Sequence, residues 1–451
     1  MSVSAVSAPR FAIGSGRVAL AAREIAAWCP ALAFAYPMLV WPMMFSAWRA
    51  GSGTGSSLSN VAASESNPIN VVWFLALGAL AALVALPRLR WGARVAWTPV
   101  LAFALLYLAL AGASVAWALE AGITFRRFVL QALIVLAALV AALLEPDPRA
   151  VARRLAAVAG AAVALNLLWL GVKPPSPLGV EGIYPQKNAL GVALLVALPL
   201  LVFAALDARE RGRALACTVS LALMLAAFAL LVLSRSKTSL GLAALVPIAA
   251  FGLVVVGRAV RVSPALVLFY GSAVVLAATT LGHALFGWTI EDASVLLFGD
   301  PTFTGRDVIW GFAAEQARAR PWLGYGFNGF WGIGYASPAV SNGPLFVNSV
   351  LQSHNGYIDV RLELGWLGLG VMAALLAAGL ARIGALAGAD ALLGWTCLCL
   401  ALIAVLHNGL ESSLARGFNL VWIAFLAAVC VASPRWAPPV SPSVRPERSG
   451  A

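Results

Sequence analysis

The chain has 451 residues, of which 62% are hydrophobic and 11% charged, with 16 Trp and a formal net charge of +12. That composition excludes an ordinary soluble domain and belongs to a polytopic helical membrane protein, whereas a β-barrel would show short alternating segments. The positive balance does not read as a nucleic-acid footprint, because the basic residues are scattered over short connections between apolar runs, the pattern that sets membrane orientation.

Twelve all-α spans follow from the apolar runs, at about 27–48, 69–86, 96–116, 128–144, 155–172, 189–206, 214–233, 240–256, 264–282, 365–385, 391–407 and 418–432. The first begins after Arg10, Arg17 and Arg23 and lacks a small-residue cleavage site, so it reads as a retained helix. Basic connections at 87–94, 146–154, 207–213 and 257–261 alternate along the chain, which puts them on the cytoplasmic side with both termini. The expected division is a cytoplasmic N-terminus (1–26), spans one to nine (27–282), a large outer loop (283–364), spans ten to twelve (365–432) and a disordered tail (433–451). The Gly/Ser-rich stretch 51–66 reads as a flexible linker. Cys29, Cys217, Cys397, Cys399 and Cys430 all fall in apolar spans, where a thiol acts as a small hydrophobe, so no disulfide framework follows. Clustered His and carboxylates with ligand spacing are missing, so neither a metal nor another cofactor is expected.

The opposite face carries basic residues that break the orientation bias: Lys173, Lys187, Arg235, Lys237, Arg306, Arg318, Arg320 and Arg361. Cations retained there need another cause, either an anionic ligand at the mouth of the bundle or interfacial snorkelling to lipid headgroups. The group SRSKTS (234–239) packs two cations and four hydroxyls between two apolar helices. Arg306 follows Thr304, whose spacing to Asp307 is that of a capping box, so a helix is expected to start at Gly305 and stop near Pro321. Arg306 would then sit in a first turn that already favours an anion, unless it pairs with a nearby carboxylate. Beyond it, GYGFNGFWGIGY (324–335) offers Tyr325, Phe327, Phe330, Trp331 and Tyr335 among glycines, as platforms for sugar rings or as an interfacial aromatic belt.

Three histidines are present. His354 precedes a helix expected to begin near 355–356, and neutral imidazole suits accepting a proton from a sugar hydroxyl, although a lone His is more often structural. His283 and His407 stand at span ends and read as interfacial. The middles of the spans hold almost no ionisable residues, which counts against a proton-coupled transporter.

The stretches YPQKNALG (184–191), LSRSKTSL (233–240), TGRDVIW with RPWLGYGFNGFW (304–331), SHNGYIDVRLELGWLGL (353–369) and HNGLESSL (407–414) resemble the O-antigen ligase/polymerase superfamily, most closely exopolysaccharide polymerases of the succinoglycan type. The resemblance covers about 184–422; the N-terminal third matches only as apolar helices. It implies a metal-independent, GT-C-like membrane glycosyltransferase that takes a glycan from undecaprenyl diphosphate on the periplasmic face of the bacterial inner membrane. It further implies that Arg235 and Arg306 bind the diphosphate and that His354 activates the acceptor hydroxyl. Lys187, Asn188, Lys237, Asn355 and Glu411 are weaker carry-overs as donor-binding groups. The implied partners are the lipid-linked glycan donor, an acceptor glycan (a lipid-linked repeat unit or lipid A core), membrane lipids and glycan export or chain-length proteins, with no nucleic acid. A polymerase is expected first and a ligase second, with a lipid-linked sugar flippase or an inactive assembly partner as the readings from other classes.

Overall fold

The computed structural model describes residues 24–26, 28–44, 67–90, 96–140, 147–173, 177–289, 292, 295 and 305–434. The linker 51–66, Thr304 of the capping box, most of 290–304, nearly all of the N-terminal segment and all but the start of the tail lie outside them. Among the described residues the elements are helical, and no strand occurs.

Among the described residues, ten helices are long and apolar enough to cross a membrane. They are α1 (Glu24–Met44), α2 (Pro68–Leu86), α3 (Pro99–Ala116), α4 (Ala121–Leu139), α5 (Pro148–Trp169), α6 (Lys187–Glu210), α7 (Ala214–Ser234), α8 (Lys237–Ala259), α9 (Pro264–Phe286) and α12 (Gly356–Ala389). Two shorter apolar helices, α13 (Ala391–His407) and α14 (Leu420–Ala432), stand where the last two expected spans fall. Between α9 and α12 lie α10 (Arg306–Ala319) and the single-turn α11 (Pro338–Asn342). The chain is a multi-pass membrane protein.

Burial sorts these helices. Every residue of α14 is buried, as expected for a helix that is apolar on all sides and enclosed by others. Helix α13 packs on α14, α12 and α8 at the centre. Helix α9 is almost wholly exposed and touches chiefly α8 and α12, so its apolar surface is left for lipid.

The structure shifts several expected boundaries. Helix α4 begins at Ala121 rather than near 128, so Arg127 lies within it and reaches the loop after α10. Helix α5 begins at Pro148, with Asp147 as N-cap accepting from the Arg149 backbone N–H at 2.9 Å and proline at the first position. The N-cap of α10 falls at Gly305 (φ +82°), one residue past Thr304.

Helix α12 begins at Gly356, where a helix is expected after His354, and runs on into the span expected from 365, but it is broken at Gly365 (φ +65°, ψ −162°). The chain following α10 fills that break: Trp366 N–H donates to the Pro321 carbonyl at 2.8 Å, while Tyr325 and Gly326 N–H donate to the carbonyls of Leu362 and Glu363 at 3.1 and 2.8 Å. The backbone groups freed by the break are thus satisfied within the protein. Only glycine fits there, because a Cβ on residue 365 would stand 2.1 Å from the Trp322 carbonyl carbon in a region of φ/ψ that other residues avoid. Gly365→Ala is expected to destabilise the protein by more than about 2 kcal/mol, visible as a lower midpoint in thermal unfolding of the detergent-solubilised protein; an unchanged midpoint would contradict the tight approach.

The two ends of the bundle differ in charge chemistry. At one end Arg149 pairs with Asp390 (2.6 Å) and Glu210 (2.6 Å), and Asp207 receives Arg149, Arg153 and Arg211. These contacts tie the start of α5 to the end of α6 and to the α12–α13 turn. The other end holds the starts of α6, α8 and α12 with α10 and the 408–419 connection. A cavity of about 420 Å³ opens at the first end beside Glu24, Trp28, Asp147, Arg153 and Arg154. Its arginines are already paired, Arg153 with Asp147 and Arg154 with Glu24, so the cavity does not mark the chemistry.

Candidate functional site

At the second end Arg306, His354 and Glu411 meet, although they come from three separate segments. Arg306 Nη2 donates to Glu411 Oε1 at 2.9 Å, and His354 Nδ1 lies 2.9 Å from Glu411 Oε2. All three side chains are partly open, at 19%, 32% and 24% exposure, so a ligand can reach them.

Local structure explains the meeting. Arg306 is the first residue of α10 and projects from the helix end whose free N–H groups favour an anion. His354 takes a left-handed conformation (φ +55°) between two fixed neighbours. Asn355 caps α12 by accepting from the Tyr357 and Ile358 N–H groups, each at 3.1 Å, and its amide donates to the Gly409 carbonyl at 3.1 Å. Glu411 lies in a buried connection braced by Asn408, whose Oδ1 accepts from Ser413 and Leu414. Gly356 N–H donates to the carbonyls of both Asn408 and Glu411, which locks this connection onto the start of α12.

Burial opposes the charge on Glu411, but the hydrogen bond and charge of His354, followed by the charge of Arg306, outweigh it and hold the carboxyl below its usual range. A lowered carboxyl adds stability above its unfolded value and loses it as pH falls through the folded one. The bridge to Arg306 therefore stands at neutral pH and is lost only in acid below the ordinary carboxylate range. Gln352 Nε2 stands 3.3 Å from the same Nδ1 atom; a proton on Nδ1 donated to the Glu411 carboxylate would leave His354 Nε2 as the proton acceptor.

The remaining expected site residues fare differently. Arg235 caps α7 in a left-handed conformation and donates to the Pro177 carbonyl at 2.9 Å, not to the Arg306 cluster. Lys187 and Lys237 are the first residues of α6 and α8, with Asn188 beside Lys187. Those two helix starts lie side by side because Gly191 packs directly on Ser236 and Ser239, where a Cβ would come within 2.6 Å of Ser236. Two parallel dipoles thus present positive ends at the same place.

Tyr325 and Trp331 are not open platforms. They are 6% and 1% exposed and pack with Ile309, Phe312 and Phe330, because the glycines between them let the chain fold its rings inward. Trp331 Nε1 donates to Asp359 at 2.8 Å. Tyr335, at 95% exposure, is the ring of that segment that faces out. Asn355 is a helix cap here. His407 is buried against Ser413 Oγ at 3.2 Å rather than interfacial. Three of the unusual cations have local partners: Lys173 pairs with Glu181, and Arg320 and Arg361 stack on Tyr325 and Trp366.

Sequence reasoning missed Asp359, Glu363, Arg416 and Arg127, which lie behind the cluster. Asp359 and Glu363 are each 4% exposed, and Arg416 Nη1 approaches them at 3.4 and 3.5 Å. The signal was present: two carboxylates four apart fall on one helical face at the head of an apolar span.

Helices of this number and this site define a multi-pass membrane protein with an arginine-carboxylate-imidazole cluster at one end. The family model described as O-Antigen ligase matches residues 221–373, from α7 through the first half of α12, so this part of the chain is similar to the O-antigen ligase/polymerase superfamily. Arg235, Arg306 and His354 lie inside the matched segment and Glu411 outside it. The match supports an activity of the O-antigen ligase/polymerase type; the likeness to succinoglycan-type polymerases is not part of it. No curated protein matches the chain.

Proposed function

We propose that this protein polymerises glycan repeat units, transferring an oligosaccharide from undecaprenyl diphosphate to an acceptor sugar hydroxyl on the periplasmic face of the inner membrane, with both termini in the cytoplasm and without a metal or other cofactor. The observation that carries this reading is the Arg306–Glu411–His354 bridge. His354 Nε2 takes the proton of the acceptor hydroxyl as its oxygen attacks the anomeric carbon of the donor glycan. The bond from that carbon to the diphosphate oxygen breaks, and the electron pair leaves with the diphosphate. Arg306 stabilises that charge, since a fixed guanidinium acts most strongly where charge develops. Arg235, Lys187 and Lys237, with the paired starts of α6 and α8, hold the rest of the diphosphate. Glu411 orients His354 and stabilises its imidazolium.

A ligase delivering glycan to lipid A core is the second reading, favoured by the description of the matching family. The carrier-linked glycan in cells lacking the gene separates the two. Single repeat units on the carrier are expected for a polymerase and full-length polymer for a ligase; a carrier pool unchanged from wild type would contradict both.

Glu411→Gln tests the dyad. It keeps the shape and removes the charge, and losing a charge-assisted hydrogen bond of roughly 1.5–3 kcal/mol is expected to slow transfer by about 10- to 100-fold. Transfer at the wild-type rate would remove Glu411 from the mechanism.

A further inference from the structure

His354 is a non-glycine residue held in the left-handed region, a conformation that costs of order 1–3 kcal/mol and persists only where the surroundings over-determine it. The Asn355 cap fixes it from one side. From the other side the fixing group is Asp359, one turn into α12. Asp359 Oδ1 accepts from the Ser353 N–H at 3.1 Å and from Trp331 Nε1 at 2.8 Å, and its Oδ2 faces Arg416 Nη1 at 3.4 Å. Arg416 Nη2 donates to the Leu351 carbonyl, so one guanidinium holds both the segment entering the turn and the carboxylate that anchors it.

Every polar group of Ser353 is then engaged. Its carbonyl accepts from Trp310 Nε1 at 2.9 Å, and its hydroxyl donates to the Asn355 carbonyl at 2.8 Å while accepting from the Asn355 N–H at 3.2 Å. The residues on both sides of His354 are pinned, one to α10 through Trp310 and the other to the 408–414 connection through Gly409. Those are the segments that carry Arg306 and Glu411. The second buried carboxylate, Glu363, accepts from Asn328 N–H at 3.1 Å and faces the same Arg416 at 3.5 Å, so the chain that fills the α12 break is tied to the same guanidinium.

We propose that Asp359, held by Arg416, is a positioning residue for glycosyl transfer: it fixes the Ser353 backbone so that His354 is turned across to Glu411 with its Nε2 atom presented to the acceptor. The proposal rests on His354 acting as the base. Asp359 is 4% exposed and bonded to protein groups, so its loss is expected to fall on the chemical step and not on donor binding. Displacement of a reacting group by about 1 Å is enough to cost on the order of 100-fold.

The test is steady-state kinetics of Asp359→Asn, full-length and reconstituted in lipid nanodiscs, with an undecaprenyl-diphosphate-linked repeat unit as donor. Asparagine preserves the shape and one acceptor but removes the charge facing Arg416. The expected result is a kcat lower by about 10-fold or more with the donor KM within about twofold. Ser353→Ala, which removes only the hydroxyl link to Asn355, is read in the same way and serves if Asp359→Asn is not recovered folded. A kcat within about twofold of wild type in the folded variants, or a loss carried by KM, would overturn the proposal. His354→Ala, run alongside, keeps the two readings apart: wild-type rates in that variant defeat the assignment of His354 as base, whereas its inactivity beside a fully active Asp359→Asn defeats only the positioning role.

Discussion

His354→Ala is expected to lower the rate of glycan transfer by about 10²- to 10⁴-fold, the span typical of a positioned general base, while the protein still inserts and binds donor. The side chain is one-third exposed and its polar partners are Glu411 at 2.9 Å and Gln352 at 3.3 Å, so its removal opens no core cavity. On the proposed mechanism, what remains is a bundle that still holds the lipid diphosphate through its arginines and lysines but leaves the acceptor hydroxyl protonated. The measurement is transfer by purified protein with the amount of folded variant checked by size exclusion. A variant that transfers at the wild-type rate would send the proton elsewhere.

Arg306→Ala is expected to be nearly as costly, about 10²- to 10³-fold, by analogy with the loss of one preorganised donor at a developing charge. Two effects combine in it. On the proposed mechanism the leaving diphosphate loses its guanidinium, and Glu411, whose carboxyl Arg306 helps to hold in the charged form, keeps only its contact with His354. Arg306→Lys separates them: a point charge restores the pairing with Glu411 but not a two-pronged grip on phosphate oxygens, so the rate should return only in part. Full recovery with lysine would show that charge alone matters at this position, and no loss with alanine would move the diphosphate site towards Arg235.

The helices were legible because apolar runs about 20 residues long leave little choice in a bilayer. Arg306 and His354 were legible because each is a polar residue at a helix start amid apolar sequence. Their partner Glu411 was named only as a weak donor-binding group, since nothing in the letters HNGLESSL says that the connection it lies in is buried and folded back onto Gly356. Burial of most of the aromatic residues, which neither the sugar-platform nor the aromatic-belt reading expects, has a related reason. Glycines between rings permit a chain to present them or to bury them, and here Tyr325, Phe330 and Trp331 fill a core beneath the site. The break at Gly365 was invisible because the run from 356 to 389 is apolar enough to read as one continuous helix. Asp359 and Arg416 were missed because their partners are far away in sequence, and pairing across such distances is a property of the packing.

Single-turnover reaction of a radiolabelled undecaprenyl-diphosphate repeat unit with the nanodisc-reconstituted protein, wild type beside His354→Ala, tests the central claim most directly. The account predicts that wild-type protein releases undecaprenyl diphosphate as the label appears on an acceptor glycan, and that the variant retains bound, intact donor. Equal release by the two proteins, or movement of intact donor between leaflets with no new glycosidic bond, would contradict it.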